Sequence, residues 1–384
     1  MVENTTHGYE ESQLYYVVPS AVTPTIAHNV WTYENQVSAA PQALAAAVLG
    51  LVDSGNVSIT ETFSRKTVNS TKSSQKGVSA RRRIDGVVSG ARGVEWSISD
   101  VKLQKNVYTA DGGQNYAWPR FIHMAFHDRL HDHASIGSSG SGSSSSAATY
   151  SRMYSSATAS LGTSGNIQTF SLIQRRRTGD GKNLTKHIMG CQINEISLKS
   201  ATDDFLLLNA SGFGTLTTSS FLTDAPISLG TAVLVSRATA ITTDPLMFFN
   251  TSISEWADPN RTEATGITEW EWSLNNNLSP IRVLRSTRGE WPVGFALGPQ
   301  EINFNFTKNY KQDNALHDDL VAETKRTFVV DIKSGTTSTG RIIIRDCEKT
   351  DDFEQPVAGA DEIVTQEYSY RAVSTALTRG YDYT

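Results

Sequence analysis

The sequence predicts a mainly β fold, and three observations carry that expectation. Hydrophobic residues make up 38% of the 384 residues, a low share that suits sheets with one wet face better than a compact enzyme. Long stretches alternate apolar and polar residues at period two, as where Val94, Trp96 and Ile98 are spaced by Glu95 and Ser97. Gly, Asp and Asn break these stretches at short intervals, the pattern of half-buried antiparallel meanders.

Taken in order, residues 1–24 read as an extended arm punctuated by Pro19 and Pro24. The Ala-rich stretch 39–51 predicts a helix of about three turns, because Ala has the highest helix propensity. Strands are expected across 57–102, with a polar loop at 69–76. Stretch 118–133 opens with a Pro at its second position and places Phe121, Met124, Ala125 and Leu130 on one side of a helix. A run of only Gly and Ser follows at 137–146, flexible by composition.

The segment 168–214 is the one around which the chain is organised. Strands are expected at 169–173, 187–198 and 205–210, joined by turns at Thr178-Gly179-Asp180-Gly181 and Asp203-Asp204. A loop-rich connection at 215–236 leads to a boundary at 238–244 and to strand-like text at 245–250. Residues 270–280 give a strand and then an Asn-rich turn. Ile302, Phe304 and Phe306 alternate with Glu301, Asn303, Asn305 and Thr307, the cleanest strand in the chain. A short amphipathic helix is expected at 313–323.

The second half of the chain rewrites the first. VSITETFS, then RRRIDGVVSGARGVEWSIS, the Trp118 helix, QTFSLIQ and HIMGCQINEISL form one series. ITEWEWSLNN, then VGFALGPQEINFNF, the Asp313 helix, KRTFVVDIKS and GRIIIRDCEKTDDF form the other. Thr169-Phe170 match Thr327-Phe328, and Cys191 matches Cys347.

Charge and composition narrow the function. A net charge of −5 argues against broad affinity for a nucleic-acid backbone. The clusters Arg81–Arg83 and Arg175–Arg177 read as solvated or salt-bridged surface, with a subunit interface as the alternative. Two cysteines give no disulfide scaffold and suit a chain made in a reducing cytoplasm. No apolar run reaches the roughly 20 residues a membrane span needs, and 1–12 lacks the basic start and apolar core of a secretory signal, so the expected product is soluble.

Catalytic patterns are weak. His123, His127 and His131 follow one another at spacings of four, with His133, Asp128 and Asp132 nearby, as some zinc sites do. No Glu sits between the first two in the HExxH manner, and His133 runs into the Gly/Ser stretch, so surface or packing histidines are expected and no metal. A zinc hydrolase using that helix is the least favoured alternative. The chain has no GxSxG elbow, no GxxxxGK[ST] phosphate loop and no GxGxxG after a strand. Its acidic doublets Asp203-Asp204, Asp318-Asp319 and Asp351-Asp352 suit turns or helix surfaces. A non-enzyme without cofactors is expected.

The strand GCQINEISL at 190–198, followed by a strand ending ASGFG at 210–214, resembles the tail tube proteins of tailed bacteriophages. There a G-C-x-(V/I)-N-x-(I/L)-S-L strand precedes one ending in Gly. The resemblance covers most of 57–375 with degenerate motifs. It implies two tandem tail-tube-type β-barrel or sandwich domains, each with a short flanking helix: an arm at 1–24, a first domain at 25–237 and a second at 238–384. Single-domain members form hexameric rings and tandem members trimeric ones, so a trimeric, pseudo-six-fold ring is implied. The implied partners are the chain itself, tail tip and tail terminator proteins, the tape measure protein during assembly, and double-stranded DNA in transit. The implied place is the virion tail, after synthesis in the host cytoplasm.

A DNA conduit needs a polar or acidic bore with few fixed cations. Glu95, Glu195, Glu301 and Glu367, each on the wet face of an expected strand, are the candidate lumen residues; outward solvent or interface ion pairs are the alternative for each. The apolar faces would pack under the helices. Segments 1–24, 69–76 and 379–384 are available for stacking contacts between rings. A capsid decoration protein or an adhesin remains the competing non-enzyme class, although Trp96, Trp270 and Trp272 lie in alternating strands and suit a core better than a binding platform.

Overall fold

The structure is a computed structural model that describes residues 9–19, 44–48, 56–70, 83–103, 121–122, 125, 170–178, 183–220, 245–257, 260–282, 291–292, 294–296, 298–309, 325–334, 337–350 and 365–378. The chain is mainly β. Its strands run β1 (Tyr9–Pro19), β2 (Leu44–Val48), β3 (Val57–Ser70), β4 (Arg83–Lys102), β5 (Phe170–Thr178), β6 (Asn183–Ala201), β7 (Leu207–Gly214), β8 (Leu216–Ser220) and β9 (Thr251–Ala257). They continue as β10 (Asn260–Glu263), β11 (Ile267–Asn275), β12 (Ser279–Ile281), β13 (Gly294–Ala296), β14 (Glu301–Asn309), β15 (Arg326–Ser334), β16 (Thr337–Lys349), β17 (Thr365–Ala372) and β18 (Ser374–Thr378). All but the β12·β13 pair join one 16-stranded sheet, and every ladder in it is antiparallel.

The sheet doubles over on itself because β6 and β16 each serve two layers. The N-terminal part of β6 pairs with β5 and β8, while its C-terminal part pairs with β7 and β11. Strand β16 likewise meets β15 and β18 first and β17 last. Alternation then does the packing. In β14, Ile302, Phe304 and Phe306 are buried while Glu301, Asn303 and Asn305 are exposed. Trp96, Trp270 and Trp272 are buried, each large ring removing apolar area worth about 2–3 kcal/mol.

The dry face was expected to lie under helices; among the described residues it is covered mainly by strands. Trp96 stands edge-on to Phe170 of β5 at 5.7 Å. Phe304 and Phe306 meet Phe328 of β15 at 5.2 and 5.6 Å. Among the described residues a helical turn contributes Phe121, Ile122 and Ala125, all fully buried; Ala125 N–H donates to the Ile122 carbonyl at 2.9 Å and the Phe121 ring lies 6.5 Å from Trp96. The rest of the expected helix at 118–133, the Gly/Ser run, the helix at 313–323 and the boundary at 238–244 lie outside the described residues.

Other expectations need correction. The Ala-rich stretch holds strand β2, not a helix over 39–51, because Leu44–Val48 pair with β1 through Tyr15↔Val48 to Pro19↔Leu44. Ladder pairing outweighs the weak preference of Ala. Residues 9–19 of the expected arm form β1, which lies between β5 and β2 within this chain. The loop expected at 215–236 begins with β8, whose partner is β6. Residues 245–250 end in a short 3-10 turn, Phe248–Asn250, in place of a strand.

The rewriting seen in the sequence recurs in the registers. Strand β4 meets β7 with Trp96↔Gly212 and Ile98↔Ala210, and β14 meets β17 with Phe304↔Tyr370 and Phe306↔Tyr368. Strand β3 meets β4 with Val57↔Ile98 and Ile59↔Trp96; β11 meets β14 with Trp270↔Phe306 and Trp272↔Phe304. Gln192↔Phe213 and Ile193↔Gly212 correspond to Glu348↔Arg371 and Lys349↔Tyr370. The cysteines are equivalent down to the thiol, which donates to Ile188 O from Cys191 and to Ile344 O from Cys347. One match shifts: Leu172, not Phe170, takes the place of Phe328, since Leu172↔Ile188 corresponds to Phe328↔Ile344.

Candidate functional site

Directly opposed residues of an antiparallel ladder share a face, so the registers assemble the wet side of the inner strands row by row. One row runs Ser58, Ser97, Ser211, Glu195, Asn275, Glu301 across β3, β4, β7, β6, β11 and β14. A second runs Asn209, Ser197, Ser273, Asn303, Arg371 and Glu348. Lys199, Glu271, Asn305 and Ser369 make a third, and Glu269, Thr307 and Glu367 a fourth. On β7 the third row continues into Leu207, which lies opposite Lys199 and adds a large, half-buried apolar side chain to it.

The four candidate carboxylates are all exposed on this face. Glu195 and Glu301 flank Asn275 in the first row, Glu367 closes the fourth, and Glu95 lies on β4 between Thr60 and the half-buried Phe213. The alternation that buries Trp96 on one side of Glu95, and Ile196 beside Glu195, fixes that outward aim. Glu195 is also held: Asn275 Nδ2 donates to its Oε1 at 3.1 Å and Ser211 Oγ to its Oε2 at 3.5 Å. A carboxylate tethered by neutral donors keeps its charge uncompensated. The cations here are sparse, and Lys199 is matched by Asp100 at 3.5 Å.

Sequence reasoning missed Glu269 and Glu271, which add to the acidity of the same face. Their signal was available, since each is a neighbour of buried Trp270 or Trp272 in an alternating strand. It also missed the lock at the β6·β11 junction. Strand β6 bulges between Ile193 and Glu195, and the loop after β11 plugs into the bulge. Leu278 N–H donates to Asn194 Oδ1 at 2.7 Å, and buried Asn276 donates through Nδ2 to Ile193 O at 3.0 Å and Ala125 O at 2.8 Å. Gln300 Nε2 donates to Asn276 Oδ1 at 3.0 Å. The Asn-rich turn is thus a buried connector, satisfied on both its amide ends.

Among the described residues no cluster of three or more His, Cys, Asp or Glu side chains could hold a metal ion; His123, His127, His131 and His133 lie outside them. Cys191 and Cys347 are free and buried, and burial pushes both thiols up, that of Cys347 to about 12. Neither is a nucleophile at neutral pH. Among the described residues no helix is long and apolar enough to cross a membrane.

No family model matches the chain, and no curated protein does. Among solved structures, the chain is similar to a component of the anti-feeding prophage baseplate, with a TM-score of 0.26 and 11% identity over 34% of this chain and 92% of that one. It is similar to a component of the sheath-tube complex of an extracellular contractile injection system, with a TM-score of 0.27 and 14% identity over 38% and 99%. A component of the tail of an empty GTA particle gives a TM-score of 0.25 and 12% identity over 34% and 96%. These neighbours are parts of phage-tail-like assemblies, matched at a level too low to transfer a fold or a role.

Proposed function

We propose that this chain is the structural subunit of a phage-type tail tube, built as two tandem tube domains and assembling into stacked rings around a bore that conducts double-stranded DNA. The single observation that carries this proposal is the broad wet face, polar along most of its four rows and rich in carboxylates, with an aromatic layer buried behind it. A surface of that sign lets a polyanion slide without holding it. Glu95, Glu195, Glu301 and Glu367 line the bore, with Glu269 and Glu271 beside them. The recurrence of one set of registers within one chain supports three chains in a pseudo-six-fold ring, a closed cyclic assembly. The role is non-enzymatic, the place is the virion tail, and the partners are other copies, the tail tip and terminator proteins, the tape measure protein and passing DNA.

Negative-stain microscopy of the concentrated protein tests this directly. Hollow rings or tubes are expected, and a particle that stays a single chain at every concentration, or on a tail tip, overturns it. In virions carrying Glu195→Lys with Glu301→Lys, tubes still assemble but DNA release slows; unchanged release removes the bore from this face.

A further inference from the structure

We propose that the hairpin of β12 and β13 is a brace: it lies against the first half of the chain and fixes the direction in which the two-stranded ribbon of β3 and β4 leaves the sheet. The β4·β7 ladder begins at Val94↔Gly214, whereas β3 and β4 stay paired from Phe63↔Arg92 on to Ser70↔Arg83. Among the described residues no third strand joins that stretch, and a two-stranded ribbon on its own is marginal in water. Its root is also a bend. The register shifts between Phe63 and Arg65, and a bulge at such a place turns the strand and raises its twist. A Cβ on Gly90 would lie 2.3 Å from Ser64 Oγ, so a glycine is what lets the two strands close up there.

The brace meets the ribbon at this bend. The Arg92 guanidinium lies over the Phe63 ring at 5.3 Å and over the Trp291 ring at 5.7 Å, so one cation is shared between an aromatic of the ribbon and one of the hairpin. At the neighbouring pair Thr62↔Gly93, a Cβ on Gly93 would stand 3.6 Å from Arg282 Nη2, which puts the residue after β12 on the same root. Phe295 of β13 stacks on Phe213 of β7, with ring centroids 5.5 Å apart and planes at 22°. None of these contacts is a backbone ladder, since β12 and β13 form a sheet of their own.

The other end of the brace is tied down. The pair Asn275↔Glu301, equivalent to Thr62↔Gly93, is the last of the β11·β14 ladder. The chain turns off through Asn277, whose φ of 48° is left-handed, a region asparagine tolerates. Gly298 N–H donates to Asn276 O at 3.1 Å and Asn277 Nδ2 to Pro299 O at 2.8 Å, joining the two legs of the hairpin at its base. Asn276 is itself held by Ile193 O at the β6 bulge. A frame set in the second half is therefore carried by the hairpin to the bend of the first-half ribbon, and the angle is not left to the ribbon's own twist. At equivalent places one half extends a ribbon and the other uses its hairpin as the brace. In the tube proposed above, on which this consequence alone rests, only first halves offer a ribbon for stacking, three in each pseudo-six-fold ring.

Pulsed electron paramagnetic resonance on the unassembled full chain tests the brace. Nitroxides on Thr67→Cys in the ribbon and Asn305→Cys on β14 report the angle as a distance, because native Cys191 and Cys347 are buried. One narrow distance is expected. Arg92→Met keeps an unbranched side chain without the charge and should replace that distance by a broad distribution, whereas Arg371→Met, at an exposed position on β17, should leave it narrow. Amides at 65–70 should exchange about fivefold faster in Arg92→Met, the size of one lost cation–π contact. A narrow, unshifted distance in Arg92→Met, or a broad one in the parent, overturns the brace. Should Arg92→Met unfold, Phe295→Leu, which gives up the stack on Phe213, carries the test: a broadened distance supports the brace and an unchanged one overturns it. These readouts need no ring, so a parent chain that never forms tubes refutes the tube function and leaves the brace standing. Where tubes form, Arg92→Met should give rings that stack poorly, and tubes of normal length overturn the part of the brace in stacking.

Discussion

Replacing Gly212 by Ala tests how the two halves fill equivalent space. Gly212 lies opposite Ile193 on one side and Trp96 on the other, where the β6 bulge brings backbone close. A Cβ at this position would sit 2.0 Å from Gln192 O and 2.7 Å from Trp96 Cζ2. The first clash is with backbone, so no rotamer relieves it and the β6·β7 ladder must shift. The second displaces an indole whose Nε1 donates to Phe213 O at 3.2 Å. Overpacking of this kind costs about 1–3 kcal/mol and the strained hydrogen bond about 1 more. A total near 3 kcal/mol corresponds to a fall of about 4 °C in melting temperature for a chain of 384 residues, read by calorimetry on the unassembled chain. Adding Trp96→Phe removes the clash with the ring and recovers only part of the loss, because the clash with Gln192 O stays. The reasoning fails if Gly212→Ala shifts stability by less than about 0.5 kcal/mol, the range of an indifferent surface change.

Three further outcomes follow from buried or paired charges. Arg341 and Asp331, both buried, form an ion pair across β15 and β16; Asp331→Ala is expected to cost about 3–5 kcal/mol in chemical unfolding, whereas replacing both partners with matched apolar residues costs far less. Both thiols are pushed up by burial, so folding favours their neutral form. Their contribution is complete below the unfolded thiol value of about 8.5 and is lost as pH rises from there toward the folded values; Cys191→Ala with Cys347→Ala should flatten the melting-temperature decline above that pH, and alkylation of the folded wild-type chain at pH 7 should label neither. The hydrogen bond from Lys325 holds the Glu348 carboxyl below its ordinary range, so its contribution is present above the unfolded glutamate value and lost as pH falls through the lowered one. Because both side chains are exposed, Lys325→Ala should leave the melting temperature unchanged at neutral pH.

Much of the inner layer was legible because period-two alternation is a local signal. The stretch holding Ile302, Phe304 and Phe306 announced both its strand and its dry face, and the carboxylates between apolar neighbours came with it. What failed was whatever depends on a distant partner. Leu44–Val48 looks helical by composition and becomes a strand because β1 offers it a ladder; Leu216–Ser220 looks like loop and pairs with the early part of β6. The repeat was visible in its order, but its offset at β5 was out by two residues, because the shared Thr-Phe identity was matched while the registers set Phe170 in the place of Arg326. Asn276 read as turn chemistry and proved to be a buried connector, since its partners Ala125 and Ile193 are remote in sequence.

The two halves kept their registers while exchanging their volumes, and that exchange bears on the ring proposed above. At equivalent places the first half sets Trp96 over Gly212 and the second sets Phe304 beside Tyr370. Val57 and Ile59 in β3 stand where Trp270 and Trp272 stand in β11. Backbone ladders are indifferent to such exchanges, so edges of either half remain geometrically compatible with edges of the other. Side-chain layers are not indifferent: Trp270 and Trp272 require the cover that β9 and β15 supply, as the Trp270 Nε1 donation to Thr251 Oγ1 at 3.2 Å illustrates. A ring that placed two first halves side by side would oppose β3 to the bulged, already paired side of β6. Alternating halves leave each bulge with its own Asn276 plug. In the ring proposed above, backbone sameness with side-chain difference favours strict alternation of first and second halves.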